Sequence, residues 1–150
     1  MNRSRIAVTA GIVALAGCGS AAQPGMQQVI VPPAGGNAAV INCLTDQASD
    51  LGYKILRKDP GDGFLEAERR LKEFEQDGTK QYAAGDRLLV QRGKKGADGI
   101  RPLELNMSTF RMDFLVNGAT QTLGAASDSG KADLTRFISA CGPLAPGASQ

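Results

Sequence analysis

The chain has 150 residues, with 17 Lys and Arg against 15 Asp and Glu, no His, no Trp and a hydrophobic share of 42%. That length supports one domain with a modest core. The small net charge gives no basic surface for nucleic acid, and the lack of His removes the commonest general base and metal ligand.

The chain starts with two cations, Arg3 and Arg5, followed by an apolar run from Ile6 to Ala16. The run is too short to cross a ~30 Å hydrocarbon core as a permanent helix, and its order, basic then apolar, is that of a secretory signal. Leu15-Ala16-Gly17-Cys18 closes it. These four residues resemble the lipobox of bacterial lipoproteins. The resemblance implies cleavage between Gly17 and Cys18, with a diacylglyceryl group on the Cys18 thiol and an acyl chain on its new amino group; no other cofactor is expected. Small residues admit the protease to the backbone, and only a thiol supplies the thioether. Removing residues 1–17 leaves 133 residues with 15 basic and 15 acidic side chains. Anchoring then rests on the acyl chains, at about 0.8 kcal/mol per buried methylene. Gly19 follows the lipidated position, where Asp marks inner-membrane retention in enteric bacteria; the resemblance therefore favours the outer membrane, on its periplasmic face or at the surface. No later stretch is long and apolar enough to span a bilayer.

Residues 18–36 are rich in Gly, Ala, Gln and Pro and read as a tether. Within them Gln27–Val31 fits either a short edge strand ended by Pro32-Pro33 or more linker. The globular domain is expected over residues 37–142, with a tail over 143–150. Asn37 is the expected N-cap of a helix to Leu51, with Val40, Leu44, Ala48 and Leu51 as its apolar stripe and Gly52 at C′. Tyr53–Lys58 reads as a strand, Asp59-Pro60-Gly61-Asp62-Gly63 as a turn, and Phe64–Leu71 as a second strand with Leu65, Ala67 and Leu71 on one face. Lys72–Gly85 is polar and reads as a connection or a short helical turn.

Arg87–Arg92 is the next strand. The loop Gly93–Gly99 lacks the Gly-Lys-Ser/Thr ending of a phosphate cradle and reads as a hairpin tip. Pro102–Val116 is extended, with Leu103, Leu105, Met107 and Thr109 in one phase and Phe110, Met112 and Phe114 in the other. That change predicts a bulge, or a break near Ser108. Asn117-Gly118 is a hairpin signal, returning the chain through Ala119–Leu123. A final helix begins near Ser127 or Ser129 and carries Leu134, Phe137, Ile138 and Cys141 at i, i+3, i+4 and i+7.

The expected fold is α+β: one antiparallel sheet of four to five strands, with the N- and C-terminal helices packed on one face. Cys43 and Cys141 are an even pair in an exported chain and read as a disulfide. Closing a loop of about 98 residues corresponds to about 4–5 kcal/mol in the chain-entropy model.

Chemistry is sparse. Glu66 and Glu68 share a strand face, roughly 7 Å apart by strand rise, which would suit a carboxylate pair. Arg69, Arg70 and Lys72 are interleaved with them, which favours a solvated charged face. Asp59 and Asp62 are turn residues without the alternating ligands of a calcium loop, and no metal is expected. The stretch Leu44–Arg70, with Leu51-Gly52-Tyr53, Ile55, Asp59, Gly63, Phe64-Leu65 and Arg69-Arg70, resembles domains of the BamC type, lipoproteins of the outer-membrane β-barrel assembly machine. The resemblance implies a helix-grip fold; the chain is too short for the two such domains of that family, so it speaks to fold more than to function. Three functions follow as expectations: a non-catalytic envelope lipoprotein that binds or scaffolds a protein partner; a carrier of a small apolar or cell-wall ligand in a groove lined by Met107, Phe110, Met112 and Phe114; and an enzyme using Glu66 and Glu68.

Overall fold

The computed structural model describes residues 25–142 apart from 77, 78 and 116. The lipobox positions Gly17 and Cys18, with Gly19, lie outside the described residues, as does the tail 143–150. The chain order is β1 (Met26–Ile30), α1 (Asn37–Asp50), β2 (Lys54–Asp59), β3 (Phe64–Gln76), β4 (Thr79–Arg92), β5 (Leu103–Leu115), β6 (Gly118–Gly124) and α2 (Asp128–Cys141). The fold is α+β, with one antiparallel sheet of six strands and two helices. The sheet runs β1-β5-β4-β3-β2, and β6 pairs with β5 beyond the end of β1.

The count exceeds the expected four to five strands because Met26–Ile30, inside the stretch read as tether, is a strand. Its alternation explains this: Ile30 is buried opposite Leu103, while Val29 on the other face is 53% exposed. The polar stretch Lys72–Gly85 is also strand. It completes a hairpin in which β3 and β4 pair as far as Gln76 and Thr79. Backbone pairing to a neighbouring strand satisfies these amides whatever the side chains are.

The core is one cluster, to which both helices and the sheet contribute. From α1 come Val40, Ile41, Leu44 and Ala48; from α2 come Leu134, Phe137 and Cys141. The strands supply alternate residues: Leu65 and Ala67 of β3, Leu88 and Val90 of β4, Leu103, Leu105 and Met107 of β5. Period-two alternation puts these on one sheet face, the core face. Cys43 and Cys141 sit at disulfide bonding distance, with Cα atoms 5.7 Å apart, and join the two helices.

Three local readings need correction. Asn37 is the first helical residue rather than the cap; Gly36 takes the cap position without a side-chain hydrogen bond. β5 pairs without interruption with β4 and β6, so there is neither bulge nor break at Ser108. Its apolar residues simply change sides while the backbone stays regular. The irregularity falls in β3 instead, around Leu71, which has no partner on β4 and is 55% exposed rather than sharing the buried face of Leu65 and Ala67. The hairpin expected at Asn117-Gly118 is present, with Leu115 of β5 paired to Gly118 of β6.

The remaining caps follow from local chemistry. Gly52 (φ 81°) ends α1 in the left-handed region that a Cβ would strain. Ser127 caps α2, its Oγ accepting from the Gly130 amide at 2.9 Å.

Candidate functional site

The sheet outlasts its core. The row Arg69–Asp86–Thr109 marks the last positions tied to the helices; the next row is Arg70–Gly85–Phe110–Leu123. There the apolar side chains of β5 lie on the face opposite the core. Phe110, Met112 and Phe114 line an open groove of about 370 Å³, completed by Glu68 and Arg70 of β3 and Ala119 and Gln121 of β6. Gly85 sets its floor. A Cβ there would stand 2.6 Å from the Phe110 ring and 2.2 Å from the Arg69 carbonyl oxygen. The ring therefore lies over bare backbone and is buried, only 3% exposed, whereas Phe114 at the far end is 39% exposed.

Met107 does not belong to this groove. Its odd position places it on the core face, fully buried, with its sulfur 3.7 Å from the Tyr53 hydroxyl. Phe110, Met112 and Phe114 are brought together; Met107 is separated from them by the thickness of the sheet. The groove is also not between sheet and helices, because that space is filled by the core cluster.

Glu66 and Glu68 share the groove face but have different partners. Glu66 is ion-paired with Arg87 across the β3–β4 ladder, and Glu68 accepts from Gln121 Nε2 at 3.2 Å. Glu66 thus pairs with the adjacent strand, whereas Glu68 reaches across the groove to β6, with β4 and β5 between them in the sheet.

On the core side, immediately behind the groove, lies a buried polar cluster. Arg69 Nη2 is 2.7 Å from Asp86 Oδ2 and 2.7 Å from Asp133 Oδ2. Asp86 is fully buried and Asp133 nearly so. Asp86 also accepts from Ser127 Oγ (2.6 Å) and Ser129 Oγ (3.2 Å), while the Tyr53 hydroxyl donates to Asp133 (3.1 Å). The Arg69 guanidinium stacks 4.8 Å from the Tyr53 ring centroid. Burial works against the Arg69 charge. The hydrogen bond to Asp86, with the field of Tyr53, Asp133 and Asp86, outweighs it and holds the guanidinium above its ordinary pKa. Burial, more than any neighbour, pushes the Tyr53 phenol upward; Arg69 opposes this, and Asp133 and Asp86 add to it.

This cluster ties β3, β4, α2 and Tyr53, the residue before β2, at the point where the core ends. Its two carboxylates are occupied by a guanidinium and hydroxyls, and among the described residues no group of three or more His, Cys, Asp or Glu is placed to hold a metal. No helix among the described residues is long and apolar enough to cross a membrane. Sequence reading missed the cluster because Arg69 looks like part of a solvated run and Asp86 precedes the expected strand. The available signal was phase. Asp86 shares the parity of Leu88 and Val90, and Asp133 sits between Gly130 and Phe137 on the buried stripe of α2.

No family model and no curated protein sequence matches the chain.

Proposed function

We propose that this is a non-catalytic lipoprotein of the bacterial envelope, anchored through acylated Cys18, which binds a partner protein with the outer end of its sheet. Both helices lie on the core face in this reading, leaving the groove face to the partner. The observation that carries it is the groove itself: an aromatic residue, Phe114, 39% exposed at the end of an apolar row and flanked by Glu68, Arg70 and Gln121. Apolar side chains in a polar rim are the composition of a protein-binding patch. The openness of the site suits a side chain or strand of a partner better than an enclosed small ligand. The helix-grip resemblance over Leu44–Arg70, which covers the second half of α1, β2 and the first half of β3, is consistent with a helix-and-sheet scaffold of this kind. The arginine start, the short apolar run and Leu15-Ala16-Gly17-Cys18 support the anchor and an outer-membrane location.

The test is site-specific photocrosslinking in cells, with the photoreactive group at Phe114 or Gln121 and, as control, at Lys58 on the far edge. Recurrent links to one envelope protein from the first two sites but not from Lys58 support the reading. Equal recovery of unrelated proteins from all three sites overturns it, and tight binding of a small apolar ligand at Phe114 would favour a carrier. The anchor is tested separately: Cys18→Ser should abolish incorporation of labelled palmitate and leave the precursor uncleaved between Gly17 and residue 18.

A further inference from the structure

The sheet has one edge formed by β2 and an opposite edge shared by β1 and β6, and β2 and β6 are built differently. β2, the edge beyond β3, reads Lys54-Ile55-Leu56-Arg57-Lys58-Asp59, and cationic side chains on an edge deter another strand from pairing there. β6 reads Gly118-Ala119-Thr120-Gln121-Thr122-Leu123-Gly124, with no charge and no Pro. Among the described residues its single strand neighbour is β5, and Gly118 to Thr122 are exposed. Nothing in its sequence guards its outer backbone groups.

The sequence of β6 is also close to a palindrome about Gln121. In an antiparallel pair related by a twofold axis, facing residues must share a sheet face, so their numbers must have the same parity. Of the registers that satisfy this, the one centred on Gln121 pairs all seven residues. It sets Gly118 against Gly124, Ala119 against Leu123, Thr120 against Thr122, and Gln121 against its own copy. Thr–Thr pairs are favourable cross-strand neighbours. Ala119, Gln121 and Leu123 share the groove face, so each groove would meet its copy across the axis.

We propose that β6 is a self-association edge, through which two copies of this chain join antiparallel about Gln121 into one extended sheet. The inference rests on the strand and its sequence and is independent of what occupies the groove.

The test is register-specific disulfide trapping in the full chain, in membranes and after purification. Gln121→Cys should oxidise readily to a covalent dimer. Thr120→Cys and Thr122→Cys should cross-link when the two variants are mixed and much less when each is alone, while Lys58→Cys should stay monomeric. No Gln121→Cys dimer, or equal yields from β6 and β2, overturns the proposal. A second variant keeps the result independent of thiol chemistry. Gln121→Lys, which brings like charges together at the axis, should retain its circular dichroism and weaken self-association about tenfold or more by sedimentation. A wild-type chain that sediments as a monomer at every concentration overturns the proposal, as does a Gln121→Lys chain that dimerises unchanged.

Discussion

Strands β3, β4 and β5 each pass through two environments, and the contrast separates what holds the molecule together from what it offers to others. In the inner half, rows such as Leu65–Val90–Leu105 put their side chains into the core. In the outer half the pairing continues, but β5 moves its apolar residues to the opposite face, where Phe114 is left 39% exposed. Backbone hydrogen bonds carry the sheet past its core, and side-chain parity decides which face each half uses. The Arg69 cluster stands at the border, where a longer row of apolar core residues would have no helix above it.

The contrast predicts that substitutions on the core side lower stability and those in the outer groove change binding alone. The largest effect should come from Arg69→Met. It leaves Asp86 and Asp133 buried without their guanidinium, and breaking such a pair typically costs about 3–5 kcal/mol. Arg70→Met, one residue on and facing the other way into the exposed groove, should change urea-derived stability by less than about 1 kcal/mol. Equal losses from the two variants would break the distinction between the halves.

Gly85→Ala comes next, and tests whether the groove floor depends on bare backbone. The added Cβ meets both the Phe110 ring and the Arg69 carbonyl, so something must shift. The expected loss is about 1–3 kcal/mol, the range for overpacking, with a change in the environment of Phe110 visible by NMR.

Tyr53→Phe should have a smaller effect, about 1 kcal/mol at neutral pH, from losing the hydrogen bond to Asp133. Its pH dependence is more diagnostic. The folded phenol is held above its ordinary value of 10.0, so the folded state keeps a proton that the unfolded state releases. That stabilisation is complete below about pH 10 and is lost as pH rises further. Wild type should therefore weaken above about pH 10 more steeply than Tyr53→Phe in urea titrations; parallel curves would place the phenol in contact with solvent.

Both helices, Leu65 and Ala67 of β3, the core-face residues of β5 and the Gly52 stop were legible in the sequence, because each rests on short-range periodicity or on one residue's backbone preference; Leu71 was not, because the register of β3 shifts beside it. The long β3–β4 hairpin was not. Glu73, Glu75 and Lys80 give no apolar alternation, and those positions are strand because a neighbouring backbone pairs with them. The Asp77-Gly78 dipeptide between Gln76 and Thr79 was the overlooked local sign, since that sequence favours two-residue turns. The groove was half legible: Phe110, Met112 and Phe114 share a parity that Met107 lacks, and grouping all four ignored the alternation that places them on opposite faces. Arg69, Asp86 and Asp133 are far apart in sequence, and only the register joins them.

The smallest effect on stability is expected where the functional effect is largest. Phe114→Ser removes a ring that is 39% exposed and lies outside the core cluster, so thermal unfolding should shift by no more than about 0.5 kcal/mol. The same change takes the exposed anchor from the groove, and buried aromatic anchors dominate protein interfaces, with losses of about 2 kcal/mol or more on truncation. Crosslinks from the photoreactive group at Gln121 should then fall well below wild type while the fold is kept. If crosslinking survives in Phe114→Ser but is lost in Arg69→Met, the partner is reading the integrity of the border and not the groove beyond it. In that case the outer half is a spacer, and the binding surface must be sought nearer the helices.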